Sequence, residues 1–317
     1  MAQEEEARSQ VIWANLLHLS YNMWEDRIEP SYEGREYHED RGYRPFLCFD
    51  EKLWNDILHR MADVGMNMVV IDLGDGVQYQ SHPEIAVENA WTVERLKEEL
   101  TRIRSLGLEP IPKLNFATTH DAWLGEYSRC VSTDTYYAVC KDLIEEVIGI
   151  FDKPRFFHLG MDEETPNHQR NFSYMVVRQF DLWWHDFYFY CEHVTKAGVR
   201  PWVWSDYLWH QPDVFFRKMP KTVVQSNWYY GEEFDKSNIR VKAYNDLEEH
   251  GYDQIPASSN HSSPKSFGMT VDYCKQHISP SRLLGFLQTS WRVTLEKCRQ
   301  RHMEAVEQVA KAKASFI

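Results

Sequence analysis

The sequence predicts an α/β protein built as a single (β/α)8 TIM barrel over residues 1–317, and three observations carry that prediction. Short β-rich runs alternate with amphipathic helical stretches along the chain, the pattern of parallel strands joined by crossover helices. The alternation repeats eight times at roughly forty residues per unit, the count and economy of such a barrel. No Gly/Ser-rich or Pro-rich linker divides the chain, so one domain is expected, with residues 1–10 as an acidic tail.

The first strand is expected at 13–19. After a long polar loop, Asp50 is the expected N-cap of a helix over 50–64. The run Met68-Val69-Val70-Ile71 centres a second strand at 67–73, apolar on both faces as a barrel strand must be. A helix over 92–106 opens at Thr92 and closes at Gly107, which takes the usual place just past a helix end. Strand 109–114, helix 133–151 and strand 155–159 follow. A long helix is expected over 174–197, closed by Gly198, then strand 199–204. The remaining units are a short helix near 213–219 with strand 222–228, and helix 239–250 with strand 254–258. They end with a short helix near 269–276, strand 284–289 and helix 295–313. The stripe Phe180, Trp183, Trp184, Phe187, Tyr188 and Cys191 has helical spacing and is expected to pack on the barrel.

Composition narrows the function. A hydrophobic fraction of 43% argues against disorder, and a net charge of −13 lacks the basic footprint that nucleic acid requires. No apolar run is long enough to span a membrane. The start MAQEEEARSQ shows no export signal, so a cytoplasmic protein with reduced thiols at its six cysteines is expected. The unusual number is aromatic: 12 Trp, 17 Tyr and 16 Phe. Indole rings stack on the apolar faces of pyranoses, so a carbohydrate is the expected partner, although a core of large side chains would have the same composition.

Chemistry in a barrel sits at the C-terminal ends of the strands. There Asp162 and Glu163 follow the fourth strand in His158-Leu159-Gly160-Met161-Asp162-Glu163-Glu164. Adjacent carboxylates repel, so one is expected to hold its proton near neutrality while the other is ionised, which is what cleavage of a glycosidic bond requires.

These residues resemble the His-x-Gly-Gly-Asp-Glu signature of family-20 glycoside hydrolases, the β-N-acetylhexosaminidases. Lys113-Leu114-Asn115…Thr119-His120, Val203-Trp204-Ser205-Asp206 and Thr289-Ser290-Trp291 resemble that family's third-, fifth- and eighth-strand segments. The resemblance implies a (β/α)8 barrel and substrate-assisted retaining hydrolysis without a cofactor or metal. In it the substrate's 2-acetamido oxygen attacks the anomeric carbon, Asp162 orients the acetamide, and Glu163 acts as general acid and then base. His158 would hold the carboxylates in place. Trp204, Trp228, Trp291 and Asp206 are the expected pocket residues, joined by His120, Asn115 and Asp72. The sequence departs from the pattern in three places. Met161 replaces the second glycine, no arginine follows the first strand, and the acetamide-clamping tyrosine is absent after the seventh, with Tyr229 or Tyr230 as its expected substitute.

Two other readings stand beside this one. A two-carboxylate glycosidase would need a nucleophile about 5–5.5 Å from Glu163, with Asp72, Asp206 or Glu232 as candidates. An inactive glycan-binding barrel would also suit the departures. A metal-dependent hydrolase is disfavoured, because His-x-His on the first strand and His-Glu-x-x-His are both absent.

Overall fold

The computed structural model describes residues 11–28 and 40–316, so the expected tail lies outside the described residues. Eight parallel strands form one sheet. They are β1 (Ile12–His18), β2 (Met68–Asp72), β3 (Glu109–Lys113), β4 (Phe156–His158), β5 (Arg200–Trp204), β6 (Val224–Ser226), β7 (Ala257–Ser259) and β8 (Gly285–Thr289). Neighbours in sequence pair in order from β1 to β6, and β1 also pairs with β8, which pairs with β7. Parallel bridges from Gln225 to Gln254 and from Trp228 to Ala257 close the circle between β6 and β7. The fold is a (β/α)8 barrel.

The connecting helices are α1 (Glu51–Asp63), α2 (Val93–Ser105), α3 (Asp134–Ile150), α4 (Phe180–Lys196), α5 (Pro212–Lys218), α6 (Ile239–Glu249), α7 (Ser266–His277) and α8 (Arg299–Phe316). Local chemistry starts them where the sequence predicts. The Asp50 carboxylate accepts from the Leu53 amide at 2.9 Å, and the Thr92 hydroxyl from that of Arg95 at 3.2 Å. Gly107 takes φ +78° just beyond α2.

The largest departure is α4, which starts at Phe180 rather than at 174. Arg178, buried, donates to Glu164, Asp186, Tyr190 and the Phe116 carbonyl. The backbone leading to it is spent on reaching those partners, and Phe180 turns the chain at φ +53°. The aromatic stripe divides accordingly. Trp183, Trp184, Phe187 and Cys191 are buried, whereas Phe180 is 78% and Tyr188 40% exposed. The last helix is also shorter at its start, because a 3-10 turn, Glu296–Cys298, precedes α8. All six cysteines are free thiols, and no helix among the described residues is long and apolar enough to cross a membrane.

The interior of the barrel is layered. Ala14, Leu16, Met68, Val70, Ile111, Phe156 and Trp202 fill the lower levels. Alternation along the strands then places His18, Asp72, Lys113 and His158 on the same inward face at the top, in register across β1 to β4. Lys113 donates to Asp72, with His18 Nδ1 at 3.5 Å. Burial alone would raise the Asp72 carboxyl, but the ammonium and the imidazole hold it at about 2. This charged layer is the floor on which the mouth is built.

Candidate active site

The turn after β4 is held in an unusual conformation. Gly160, Met161 and Glu163 all take positive φ (+73°, +74° and +55°). A Cβ at Gly160 would overlap the Asn115 side chain, so glycine is required there. Met161, which stands where the resembling motif has glycine, follows the left-handed path nonetheless, at a cost of about 1–2 kcal/mol. Its side chain is buried, and its amide donates to Asn115 Oδ1 at 3.2 Å. Asn115 Nδ2 in turn donates to Asp162 Oδ1 at 2.8 Å, and Thr119 Oγ1 donates to the Asp162 carbonyl at 3.0 Å. The β3 loop therefore aims the Asp162 carboxylate.

His120, from the same loop, stands between the two acids. Its Nε2 lies 3.3 Å from Asp162 Oδ2 and 3.5 Å from Glu163 Oε2. Burial would lower the imidazole, but the Asp162 and Glu163 carboxylates raise it to about 10, so it is cationic at neutrality. His168 Nε2 lies 3.4 Å from the other Glu163 oxygen. Against the opposing effect of burial, the two histidines hold Glu163 below the usual carboxylate range. The carboxyl that stays protonated near neutrality is instead Asp206. It is pushed up to about 7 by burial and by the Asp162 and Glu163 charges, while its Oδ2 accepts from the Glu163 amide at 2.8 Å. The proton split expected between Asp162 and Glu163 is thus spread over Asp206, His120 and the acid pair. Ligand atoms of His120, Asp162 and Glu163 all lie within 4.8 Å of one another, a spacing that suits one cation as well as one proton. Two separate loops supply them, so no single local motif contains all three.

An aromatic wall faces these groups. Trp291 packs on Trp204 (ring centroids 5.9 Å apart), on Trp24 (6.0 Å) and on His18 (5.8 Å), and donates from Nε1 to the Tyr230 hydroxyl at 2.9 Å. Trp24 meets His120 edge-on at 5.0 Å, and the Arg41 guanidinium lies 4.3 Å over its ring. Trp228 stacks on Tyr230 at 5.1 Å. The Trp204 indole N–H and Asp206 Oδ1 are buried without a hydrogen-bond partner among the described residues.

The structure brings Asp162, Glu163, His120, Asp206, Trp204, Trp228 and Trp291 together at the mouth and assigns the other expected residues elsewhere. His158 touches neither carboxylate; its Nδ1 accepts from the Gly160 amide at 3.0 Å between the Trp202 and Trp204 rings, and burial keeps it neutral. Asn115 is buried and braces the turn instead of lining a subsite. Asp72 is committed to Lys113 in the floor. Tyr229 packs against Phe234 behind the wall; its neighbour Tyr230 is the tyrosine near the acids. Glu232 accepts from Ser263 and pairs with Lys265 at 3.6 Å. Trp24, Arg41 and His168 are the residues that sequence reasoning missed. All three lie in loops that follow strand ends, and that placement is the one signal for them.

Beside the acid pair opens a cavity of about 720 Å3, bounded by Glu163, Asp206, Trp183, Trp209 and Trp228. The solved structures most like this barrel include the β-N-acetylhexosaminidase of Bacteroides fragilis (TM-score 0.62, 14% identity over 94% of this chain and 65% of that one). They also include the family-20 exo-β-N-acetylglucosaminidase of Vibrio harveyi in complex with N-acetylglucosamine (TM-score 0.60, 12% identity, 96% and 56%). A third is the family-20 β-N-acetylhexosaminidase of Streptomyces coelicolor (TM-score 0.59, 12% identity, 94% and 63%). The chain therefore spans less than two thirds of the length of these three and shares their fold as a divergent family-20-like barrel. No protein-family model matches the sequence. No curated protein matches it by sequence either.

Proposed function

We propose that the protein is a glycoside hydrolase that removes a terminal β-linked N-acetylhexosamine. One observation carries the reading: Asp162 and Glu163 stand side by side at the mouth of β4, joined by His120 and facing an indole wall. In this reading Asp162, aimed by Asn115, orients the acetamide N–H so that the carbonyl oxygen attacks the anomeric carbon. Glu163 protonates the leaving oxygen and then takes a proton from water, steps worth roughly 10²–10⁴-fold. The resting Glu163 is ionised, and His120 holds the nearest proton; sugar binding displaces water and returns that proton to the carboxylate. Tyr230 takes the place of the absent clamp, and Trp204, Trp228 and Trp291 enclose the ring.

A second reading is favoured by Asp206, a neutral carboxyl beside Glu163, which suits a two-carboxylate glycosidase acting on a sugar without an acetamide. Purified protein assayed on aryl β-glycosides bearing acetamido, amino or hydroxyl groups at carbon 2 separates the two. Turnover confined to the acetamido substrate is expected; equal turnover of the hydroxyl sugar would establish the second reading, and no turnover of any would leave a glycan-binding barrel.

A further inference from the structure

The cavity beside the acid pair touches Glu163 and Asp206 but not Asp162. A general acid must reach the glycosidic oxygen, so the leaving group lies on the side of the acid and away from the residue that holds the departing sugar's acetamide. On the reading above, this cavity is where the aglycone goes, and its lining says what kind of aglycone it takes.

Several polar groups of its walls are committed to partners of their own. Arg178 and Glu164 form a buried ion pair at 2.8 Å. Lys218 pairs with Asp181, the Tyr207 hydroxyl accepts from Trp184, and Trp209 Nε1 donates to Asn227. The Arg240 guanidinium lies over the Trp209 and Trp228 rings at 4.9 and 5.3 Å. A hydroxyl-rich saccharide lying against these groups would give up water for partners already engaged, whereas an apolar group has no hydrogen bonds of its own to give up. The lining continues the theme: Phe180 is 78% and Ile239 51% exposed. Phe180 is held outward by a left-handed backbone (φ +53°) that a bulky residue adopts only under constraint. Large apolar side chains exposed around one concave site mark a surface that a ligand covers.

We infer that the cavity bounded by Trp183, Trp209, Val214, Phe180 and Ile239 binds an extended apolar leaving group, hydrocarbon or aryl, so that the preferred substrates are glycosides of hydrophobic alcohols and not oligosaccharides. The inference rests on the hydrolase reading for the direction of the sugar, and the test separates the two.

The probes are methyl, butyl and octyl β-N-acetylglucosaminides below micellar concentration, with chitobiose as the saccharide comparison. The expected result is that kcat/KM rises roughly tenfold or more from methyl to octyl, with chitobiose no better than methyl. Val214→Glu and Phe180→Glu, each placing a charge in the cavity or at its rim, should collapse the octyl-to-methyl ratio towards one. Phe180 is exposed enough that its substitution leaves the fold intact, which a thermal melt verifies for both. Binding of the same glycosides by calorimetry provides a readout independent of turnover. If no glycoside is cleaved yet octyl binds at least tenfold tighter than methyl, and Val214→Glu abolishes the difference, the apolar site stands and the hydrolase reading falls. Equal turnover and equal binding along the alkyl series, chitobiose preferred over octyl, or a chain-length effect untouched by both variants would overturn the inference.

Discussion

The backbone amide of Glu163 donates to the Asp206 carboxylate at 2.8 Å, so the turn after β4 is anchored to the mouth of β5. Asp206 is thereby buried against the charges of Asp162 and Glu163 and carries its proton to about pH 7. An unfolded aspartate titrates near pH 4. Between those values the folded chain binds the additional proton, and stability falls as pH rises through the window. Asp206→Asn should flatten the slope of stability against pH between about 4 and 7, by up to roughly 1.4 kcal/mol per pH unit. Asp75, also pushed up to about 7 by burial, keeps its own share of that slope. Denaturant midpoints of the two proteins across that range are the measurement, and parallel curves would show an ionised Asp206.

Glu163→Gln removes a proton carrier while keeping a similar shape. Turnover should fall by roughly 10²–10⁴-fold on an alkyl glycoside and much less on an aryl glycoside whose leaving group departs unassisted. Retained activity on the alkyl substrate would assign the acid role to another residue, with Asp206 next in line.

Gly160 faces Asn115 so closely that an added methyl has nowhere to go. Gly160→Ala should cost about 1–3 kcal/mol in backbone strain alone, and should lower activity by displacing the Asn115–Asp162 hydrogen bond. Combining it with Asn115→Ala removes the side-chain part of the obstruction, leaving the Cα of residue 115 at 2.8 Å, so the double variant should lose less stability than the two single losses summed. Additive losses would mean that the two residues act separately.

The Lys113–Asp72 pair in the barrel floor has side-chain exposures of 0% and 4%. Lys113→Met strands a buried carboxylate and should cost about 3–5 kcal/mol. Adding Asp72→Asn should recover much of that, read from chemical denaturation. A single variant within about 1 kcal/mol of the parent would show that the charges are screened.

Strands and most helix ends were readable from sequence because their signals are local: an apolar run, a capping Asp50 or Thr92, a terminating glycine. The start of α4 was not, because Arg178 is drawn out of the helical pattern by Glu164, fourteen residues back, and by the more distant Phe116 carbonyl. The same division runs through the candidate site. Asp162 and Glu163 are legible as neighbours after a buried strand, and Trp204, Asp206 and Trp291 as strand-end residues. Which of Tyr229 and Tyr230 turns inward depends on alternation in a segment too short to phase. Trp24 and His168 reach the acids from loops whose course only tertiary contacts determine. Asn115 and His158 sit at the expected strand ends but serve the backbone, a distinction that residue type does not carry.

Between β6 and β7 the ring of staves is joined by isolated bridges, a junction as sparse as the single registered pair of β3 and β4, and Trp228 is itself one of the bridging residues. Warming should therefore loosen the hoop early at such junctions, this one included. Since the same indole forms part of the pocket wall, the pocket would change shape before the helices melt, and recover it on cooling.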